Sequence, residues 1–361
     1  MTAGTIAILG SGETAPGMTK VHRELLASLD NLRPVNLDTT YGFQLNVPQM
    51  SAKLEDYFAT SLQTQLATLH FSSYKKSSEL ERTLFKQQVR KANYVFAGPG
   101  SPTYALAQWA PLELANDLLE VLEAGGTLCF ASAAALTLGA FTAPIYEIYK
   151  VGVEDPTWRD GLNIFQAFGL NCVVIPHFDN NEGANYDTRY CYLGEPRLLE
   201  LEAQLPADVA TLGVDEHTAL IFDFASDTLH VRGRSNGYWR LNGDSQILPN
   251  GTTIDLEQLR TTTPTVRMRR ATTTIPDGPE PQLLAELVLA GGPQGLEALA
   301  ELVQRATTGG DGFIDPTNLI NDILAIRERV RGEGNFQIAD ELRNALSAAG
   351  CNVRDQSQNV K

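Results

Sequence analysis

The sequence has few cysteines, and they lie far apart. The 361 residues include only four, Cys129, Cys172, Cys191 and Cys351, and none of them forms a C-x-x-C pair. This spacing excludes a dense disulfide framework and the usual zinc-binding patterns. We expect reduced, buried thiols in a cytoplasmic protein.

The chain also lacks a long apolar run and an excess of positive charge. No apolar run approaches the roughly 20 residues of a membrane-spanning helix, and residues 1–4 show no basic region leading into a signal peptide. The net charge is -15 and the pI is about 4.8, so the overall field repels nucleic-acid phosphates. These absences predict a cytoplasmic protein without a membrane partner, in which nucleic acid could bind only at a local basic patch.

Short apolar strand patterns alternate with helical patterns in the first half of the chain. The strand patterns cover residues 5–9, 34–38, 66–71, 94–97, 127–131 and 171–175, and the helical ones cover 19–28, 48–61, 79–91, 112–123 and 133–141. Such alternation predicts an α/β fold with a mainly parallel sheet flanked by helices. Four later patterns, at 209–214, 218–224, 228–232 and 238–241, predict antiparallel strands that extend one edge of this sheet.

A glycine-rich loop follows the first strand. Residues 10–15 read GSGETA, which fits the G-x-G-x-x-A pattern of a dinucleotide-binding loop, and Asp38 ends the next strand pattern near the spacing expected for a ribose-binding acid. Pro16 opposes this interpretation, because a dinucleotide-binding helix would need a backbone N–H there. We therefore interpret the loop as the lining of a ligand cleft, with Glu13 near the substrate, and keep a nucleotide site as the weaker alternative.

Residues 125–141, GGTLCFASAAALTLGAF, carry the clearest sign of chemistry. A buried strand pattern ends at Ser132 and an alanine-rich helix begins at once, so the serine lies on a sharp strand-to-helix turn. Such a turn exposes a nucleophile and places the next backbone N–H, that of Ala133, where it can stabilise an oxyanion. The alternative is that Ser132 only caps the helix.

A serine nucleophile needs a base and an acid that orients the base. His177 directly follows a strand pattern in VVIPHF, at the carboxyl end where ligands collect in parallel sheets. Asp215 and Glu216 follow another strand pattern in GVDEHTA. The order and placement of these residues favour a triad, and the residues alone leave its acid open between Asp215 and Glu216.

Five stretches occur together between about residues 4 and 245: GSGE at 10–13, AGPGSPT at 97–103, SAA at 132–134, PHF at 176–178 and GVDEHTA at 213–219. Together they resemble the serine peptidase family of aspartyl dipeptidase (dipeptidase E) and cyanophycinase, which has a class I glutamine amidotransferase-like, flavodoxin-like fold. The resemblance implies that Ser132 is the nucleophile, His177 the base and Glu216 the acid.

The same resemblance implies an oxyanion hole and a substrate class. The backbone N–H groups of Gly100 or Ser101, with that of Ala133, would hold the oxyanion. The substrate would be a small peptide-like molecule containing aspartate, and neither a metal nor an organic cofactor is implied.

The polar stretch after His177 is predicted to form a wall of the substrate pocket. A substrate carboxylate calls for an arginine that can bind both of its oxygens, and Arg189 is the candidate. The predicted substrate-binding residues are Glu13, Asn181, Glu182, Asp187 and Arg189. The alternative is a solvated surface loop with internal ion pairs.

Two positions depart from the resembled family. Its elbow reads G-x-S-A-G, whereas Phe130 and Ala134 stand at the two glycine places here. A phenylalanine needs room beneath the turn, so a second hypothesis is a catalytically degenerate binding protein of the same fold.

The composition predicts three segments: a peptidase-like domain over residues 1–260, a Thr- and Pro-rich linker over 261–282, and a helical C-terminal domain over 283–361. Residues 316–355 predict a helical hairpin that resembles the C-terminal end of cysteinyl-tRNA synthetase, through Arg327, Arg331, ADELR at 339–343 and the span from Gly350 to Asp355. Acidic residues dilute its arginines, which favours a packing unit over an RNA-binding one. Contact with tRNA or a protein through this hairpin stays open, as does homo-oligomerisation.

Overall fold

The computed structural model describes residues 4–153, 156–183 and 185–260. The predicted linker, the helical C-terminal domain and its hairpin lie outside the described residues. Strands in chain order are β1 (Thr5–Leu9), β2 (Pro34–Leu37), β3 (Ala67–Leu69), β4 (Tyr94–Ala97), β5 (Thr127–Ala131), β6 (Phe141–Thr142), β7 (Arg159–Asp160), β8 (Cys172–Ile175), β9 (Ala210–Val214), β10 (Thr218–Asp223), β11 (Thr228–Gly233), β12 (Gly237–Leu241), β13 (Asp244–Leu248) and β14 (Thr253–Asp255).

The helices connect and cover these strands. They are α1 (Pro16–Ala27), α2 (Val47–Ser61), α3 (Glu79–Lys91), α4 (Pro102–Trp109), α5 (Leu114–Glu123), α6 (Ala133–Leu136), α7 (Gly194–Glu202) and α8 (Glu257–Arg260), with short 3₁₀ or π-helical turns at Asp38–Tyr41, Glu147–Val151 and Ile164–Phe168. No helix in the described part of the chain is long and apolar enough to cross a membrane.

A large sheet forms the centre of the fold. Its strand order is β14-β11-β10-β1-β5-β4-β2-β3, in which the run from β1 to β3 is parallel and β10, β11 and β14 are antiparallel additions beside β1. Side chains alternate between its faces: Ile6 and Ile8 enter one hydrophobic cluster, and Ala7 and Leu9 enter the other. Helices α3 and α5 contribute to the first cluster, and α1 and α2 to the second. The predicted α/β fold, with a mainly parallel sheet flanked by helices, is confirmed.

A second, smaller sheet departs from the prediction. Its order is β13-β12-β9-β8, with β8 and β9 parallel and the other pairs antiparallel. The expectation that strands near 171–175, 209–214 and 238–241 belong to the main sheet is therefore wrong. An apolar pattern gives the period of a strand but not its hydrogen-bonding partner, and only β10, β11 and β14 extend the main sheet.

Five loops leave parallel strands at their carboxyl ends. Strands β1, β5 and β4 are neighbours in the main sheet, and β8 and β9 are neighbours in the second. The residues that follow these five strands therefore meet at one side of the molecule, the side where open α/β sheets place their ligands.

Candidate active site

Ser132 lies at a strained turn between β5 and α6. Its backbone has φ 52° and ψ -119°, and its N–H donates to the carbonyl of Leu9 at 3.1 Å. A non-glycine residue in such a conformation costs on the order of 1–3 kcal/mol, and this kind of strain clusters at functional sites. Because Ala133 and Ala134 have small side chains, the helix can begin directly after the strand.

Phe130 finds room in the core beneath this turn. Its side chain is fully buried, and its ring centroid lies 6.3 Å from that of Trp109 on α4. Ala134 and Ala135 belong to the same hydrophobic cluster. The turn at Ser132 therefore forms with phenylalanine and alanine at the two positions where the resembled family has glycine.

His177 follows β8 and reaches Ser132 from the second sheet. Its Nε2 lies 2.9 Å from the Ser132 Oγ, and its backbone N–H donates to the carbonyl of Gly10 at 3.2 Å. Its φ of 50° is again in the left-handed region. The residue is thus held between the loop after β1 and the serine.

Glu216 follows β9 and completes a chain of hydrogen bonds. Its Oε1 lies 2.8 Å from His177 Nδ1, and the side-chain amide of Asn180 donates to the same oxygen at 3.2 Å. The backbone N–H of Glu216 donates to the Asp179 carboxylate at 2.6 Å. The hydrogen bond from His177 lowers the pKa of Glu216, so an ionised carboxylate faces Nδ1 and leaves the Nε2 lone pair for Ser132.

Asp215 points away from His177. Its buried carboxylate accepts hydrogen bonds from the Ser235 hydroxyl at 2.6 Å and the Asn236 N–H at 3.0 Å. Burial raises the pKa of Asp215. Of the two acids that the sequence left open, Glu216 is the one that contacts the histidine, and Asp215 braces the turn before β12.

The GSGETA loop packs against the chain after β9. A Cβ on Gly10 would overlap the carbonyl oxygen of Asp215, and Gly12 has φ +65° with the His217 imidazole directly beside it. The Ser11 hydroxyl accepts the His217 backbone N–H at 3.2 Å. Close packing beside the candidate site therefore explains the glycines. Helix α1 begins at Pro16, a position where the first helical residue needs no partner for a backbone N–H.

Two of the three predicted oxyanion donors face the cavity at Ser132. Gly100 and Ala133 both line it, and no hydrogen bond to either backbone N–H occurs within the described ranges. The N–H of Ser101 instead donates to the carbonyl of Thr40 at 2.8 Å, and its hydroxyl caps α4 by accepting from the Tyr104 N–H at 3.2 Å. Of the two alternatives, Gly100 is therefore the available donor, because the Ser101 N–H is already bound.

The cavity at Ser132 has a volume of about 510 Å³ and an aromatic wall. Its tyrosines are Tyr146, Tyr149, Tyr186 and Tyr192. Its lysine and acidic side chains are Lys150 and Glu182, and Glu182 accepts a hydrogen bond from Tyr192 at 2.7 Å. Lys150 and the tyrosines were not predicted, since they lie on a π-helical turn and a loop without a recognisable spacing.

Arg189 and Asp187 do not reach this cavity. Arg189 donates two hydrogen bonds to Asp187, both 2.9 Å, and a third to Glu195 at 3.0 Å. This pairing lowers the pKa of Asp187 to about 2. The structure does not place Arg189 at this cavity, because its guanidinium is paired with Asp187 and Glu195, and the alternative of an internally paired surface loop describes this arrangement.

The remaining predicted substrate-binding residues line three cavities. Glu182 lines the cavity at Ser132, and it also lines, together with Asn181 and Glu216, a neighbouring cavity. Glu13 lines a cavity on the far side of Pro99. Within the described ranges, no group of three or more His, Cys, Asp or Glu side chains could hold a metal ion.

Cys191 is the thiol that lines the Ser132 cavity. It is buried, as are Cys129 and Cys172, and all three are free. Burial raises the pKa of Cys191 to about 12, so its thiolate is scarce at neutral pH. Ser132, with its histidine partner, is the better nucleophile at this cavity.

Comparison with known proteins finds similarity at the level of structure. No family model matches the chain, and no curated protein matches it. The chain is similar to a crystal structure of a peptidase from an acI-B1 Actinobacterium, with TM-score 0.57 and 21% identity over 70% of this chain and 97% of that one. It also aligns with a putative peptidase E protein from Listeria monocytogenes EGD-e, with TM-score 0.40 and 12% identity over 68% and 98% of the two chains. The first similarity shows a shared fold; the second is too weak to carry an argument.

Proposed function

We propose that the protein is a serine-type hydrolase that cleaves a peptide or isopeptide bond in a small, Asp-containing substrate. The observation that carries the proposal is the continuous chain of hydrogen bonds from Ser132 through His177 to Glu216, with Ser132 and His177 lining a cavity. The fold shared with a solved peptidase agrees with it. The same geometry favours catalysis over the alternative of a degenerate binding protein. A site without catalysis would not need a serine with a strained backbone that is hydrogen-bonded to a histidine.

The chemistry follows from the order of the three side chains. Ser132 Oγ attacks the substrate carbonyl carbon while its proton passes to His177 Nε2, and the ionised Glu216 stabilises the imidazolium. The backbone N–H groups of Gly100 and Ala133 hold the oxyanion. His177 then gives its proton to the leaving nitrogen, the C–N bond breaks, and an acyl-serine remains.

Water completes the reaction by the same route. His177 takes a proton from a water molecule that attacks the acyl carbon, and the second tetrahedral intermediate occupies the same oxyanion hole. Collapse of this intermediate returns the proton to Ser132 Oγ and releases the acid product.

Lys150 is the candidate for binding a substrate carboxylate. It lines the cavity at Ser132, with its ammonium 4.5 Å from the centre of the Tyr149 ring. No acidic side chain in the described ranges lies within ion-pair distance of it. The role first assigned to Arg189 therefore passes to Lys150 in this proposal.

A fluorophosphonate probe tests for an activated serine. We expect labelling of the wild type and loss of labelling in both Ser132→Ala and His177→Ala, with heat-denatured wild type as the unreactive control. Folded variants that keep full labelling would place the reactive serine elsewhere. A folded wild type that resists labelling would favour the binding-protein alternative.

A further inference from the structure

A second cavity lies across Pro99 from the cavity at Ser132. Its volume is about 430 Å³, and Pro99 lines both cavities. Its walls are mostly apolar or aromatic, with two groups that carry charge, Glu13 and Lys53. Neither the triad nor the oxyanion hole uses any of its polar groups.

The Glu13 carboxylate lacks a cationic partner. It is partly buried, and besides its own backbone N–H no group in the described part of the chain is within hydrogen-bond or ion-pair distance of it. Burial raises the pKa of Glu13. A bound cation would stabilise the ionised form of a partly desolvated carboxylate of this kind.

The backbone of Glu13 is held rigidly. Its carbonyl accepts a hydrogen bond from the buried His22 Nε2 at 2.8 Å, and His22 Nδ1 lies 2.7 Å from the Tyr94 hydroxyl. The acid is thus carried by a braced loop, as a binding residue requires. The aromatic walls include Tyr41, Tyr57 and Phe96, whose faces can accommodate an ammonium group or the alkyl chain that bears it.

We propose that this cavity binds a cationic nitrogen of the substrate, with Glu13 as its counter-ion, while the scissile carbonyl lies at Ser132. The inference rests on the proposed hydrolase function and deepens it by giving the substrate a positively charged group. Two sources share this chemistry: the α-ammonium of a short peptide, and a lysine or arginine side chain. Lys53 lines the same cavity and disfavours a cation there, so its removal should strengthen the preference.

The test compares phosphonate probes that differ only in charge. One fluorophosphonate carries an amine at the end of its alkyl chain, and its neutral partner carries a methyl group there instead. Each pair is made in two lengths. The short chain places the amine as an α-amino group would, and the long chain places it as a lysine or arginine side chain would. The measured quantity is the ratio of the two labelling rates, so a general change in Ser132 reactivity cancels. The variants are Glu13→Gln, Lys53→Ala and, as a matched control, Glu200→Gln, an exposed residue of α7 that lines neither cavity.

We expect the amine probe to react about tenfold faster than its neutral partner in the wild type and in Glu200→Gln. In Glu13→Gln the ratio should fall to about one, and in Lys53→Ala it should rise. Faster labelling by the short amine probe would indicate an α-ammonium, and faster labelling by the long one would indicate a lysine or arginine side chain. A ratio of one in the wild type, or an unchanged ratio in Glu13→Gln, would overturn the inference.

Equilibrium binding separates this inference from the hydrolase proposal. Benzylammonium and benzyl alcohol are titrated calorimetrically into the wild type and Glu13→Gln, with no need for a reactive serine. Binding of the ammonium alone, lost in Glu13→Gln, would support the cation site even if no probe labels the protein. Equal binding to both proteins would contradict it even if Ser132 is reactive.

Discussion

At the scale of single residues, the candidate site is marked by left-handed backbone. Ser132, His177 and His217 all have positive φ, and so do three consecutive residues beside the cavity, Tyr190–Tyr192. Each such residue is disfavoured by on the order of 1–3 kcal/mol. Their concentration around one cavity indicates that packing of the surrounding elements holds them in place and orients the Ser132 and His177 side chains.

The two neighbouring acids should behave differently when each is removed. Glu216→Ala should reduce hydrolysis by about 10³-fold with a small effect on stability, because it frees the imidazole from its orienting partner. Asp215→Ala should instead lower the free energy of unfolding by about 1–3 kcal/mol, because Ser235 and Asn236 lose their acceptor. Hydrolysis rates and urea unfolding are measured for both variants. If Asp215→Ala lost the activity and Glu216→Ala lost the stability, Asp215 would be the acid that orients His177.

Lys150 and Arg189 form a second matched pair. For an Asp-containing substrate, Lys150→Ala should raise KM about tenfold, while Arg189→Ala should leave it near the wild-type value, since that guanidinium pairs with Asp187 and Glu195. The measurement is kcat/KM on substrates with aspartate or asparagine at the same place. A selective loss in Arg189→Ala would mean that its ion pairs open when substrate binds.

At the scale of elements, local patterns predicted most strands and the strand-to-helix turn at Ser132. Strands β1, β4 and β5 and helix α3 have the predicted bounds. Helix α4 was missed, although Ser101 as a capping residue and Pro102 at the first helical position are its usual signals. The second sheet could not be predicted, because β8 and β9 resemble main-sheet strands and differ only in their partners.

The loop after β1 offers a test of close packing between elements. Gly10→Ala should destabilise the protein and abolish probe labelling, because a Cβ there would overlap the Asp215 carbonyl oxygen beside the triad. Gly17→Ala is the control: nothing lies within 4 Å of its new Cβ, and in α1 it should stabilise by about 0.5–1 kcal/mol. Thermal unfolding and labelling rates measure both. Wild-type labelling in a folded Gly10→Ala protein would contradict this account of the loop.

At the scale of the whole molecule, the site depends on contacts between sheets. Ser132 comes from the main sheet, and His177 and Glu216 come from the second one. The sequence predicted these three residues from their places at strand ends. It could not decide whether Arg189 is paired or free, nor predict that the Ser101 N–H is bound, because both depend on which side chain or carbonyl lies beside them in space.

Acid stability should depend on His22, which links α1 to the main sheet. Burial lowers the pKa of His22 to about 4, from an ordinary value of 6.5. Protonation therefore favours the unfolded chain, and the stability contributed above pH 6.5 is lost as the pH falls toward 4, by about 3 kcal/mol in total. Urea unfolding between pH 7.5 and 4 should show this loss in the wild type and a shallower slope in His22→Gln. Equal slopes of unfolding free energy against pH in the two proteins would show that another group causes the loss of stability in acid.

The division of the triad between two sheets also has a consequence for biosynthesis. During translation the chain emerges from residue 1, and the Ser132 turn leaves the ribosome well before Glu216 and before β10, the antiparallel neighbour of β1. β9 also needs β12, over Gly237–Leu241, as a pairing partner. A nascent chain therefore carries Ser132 without its Glu216-bound histidine until nearly the whole described region has been made. If the proposed hydrolase function holds, the serine becomes reactive toward peptides only once this region has folded.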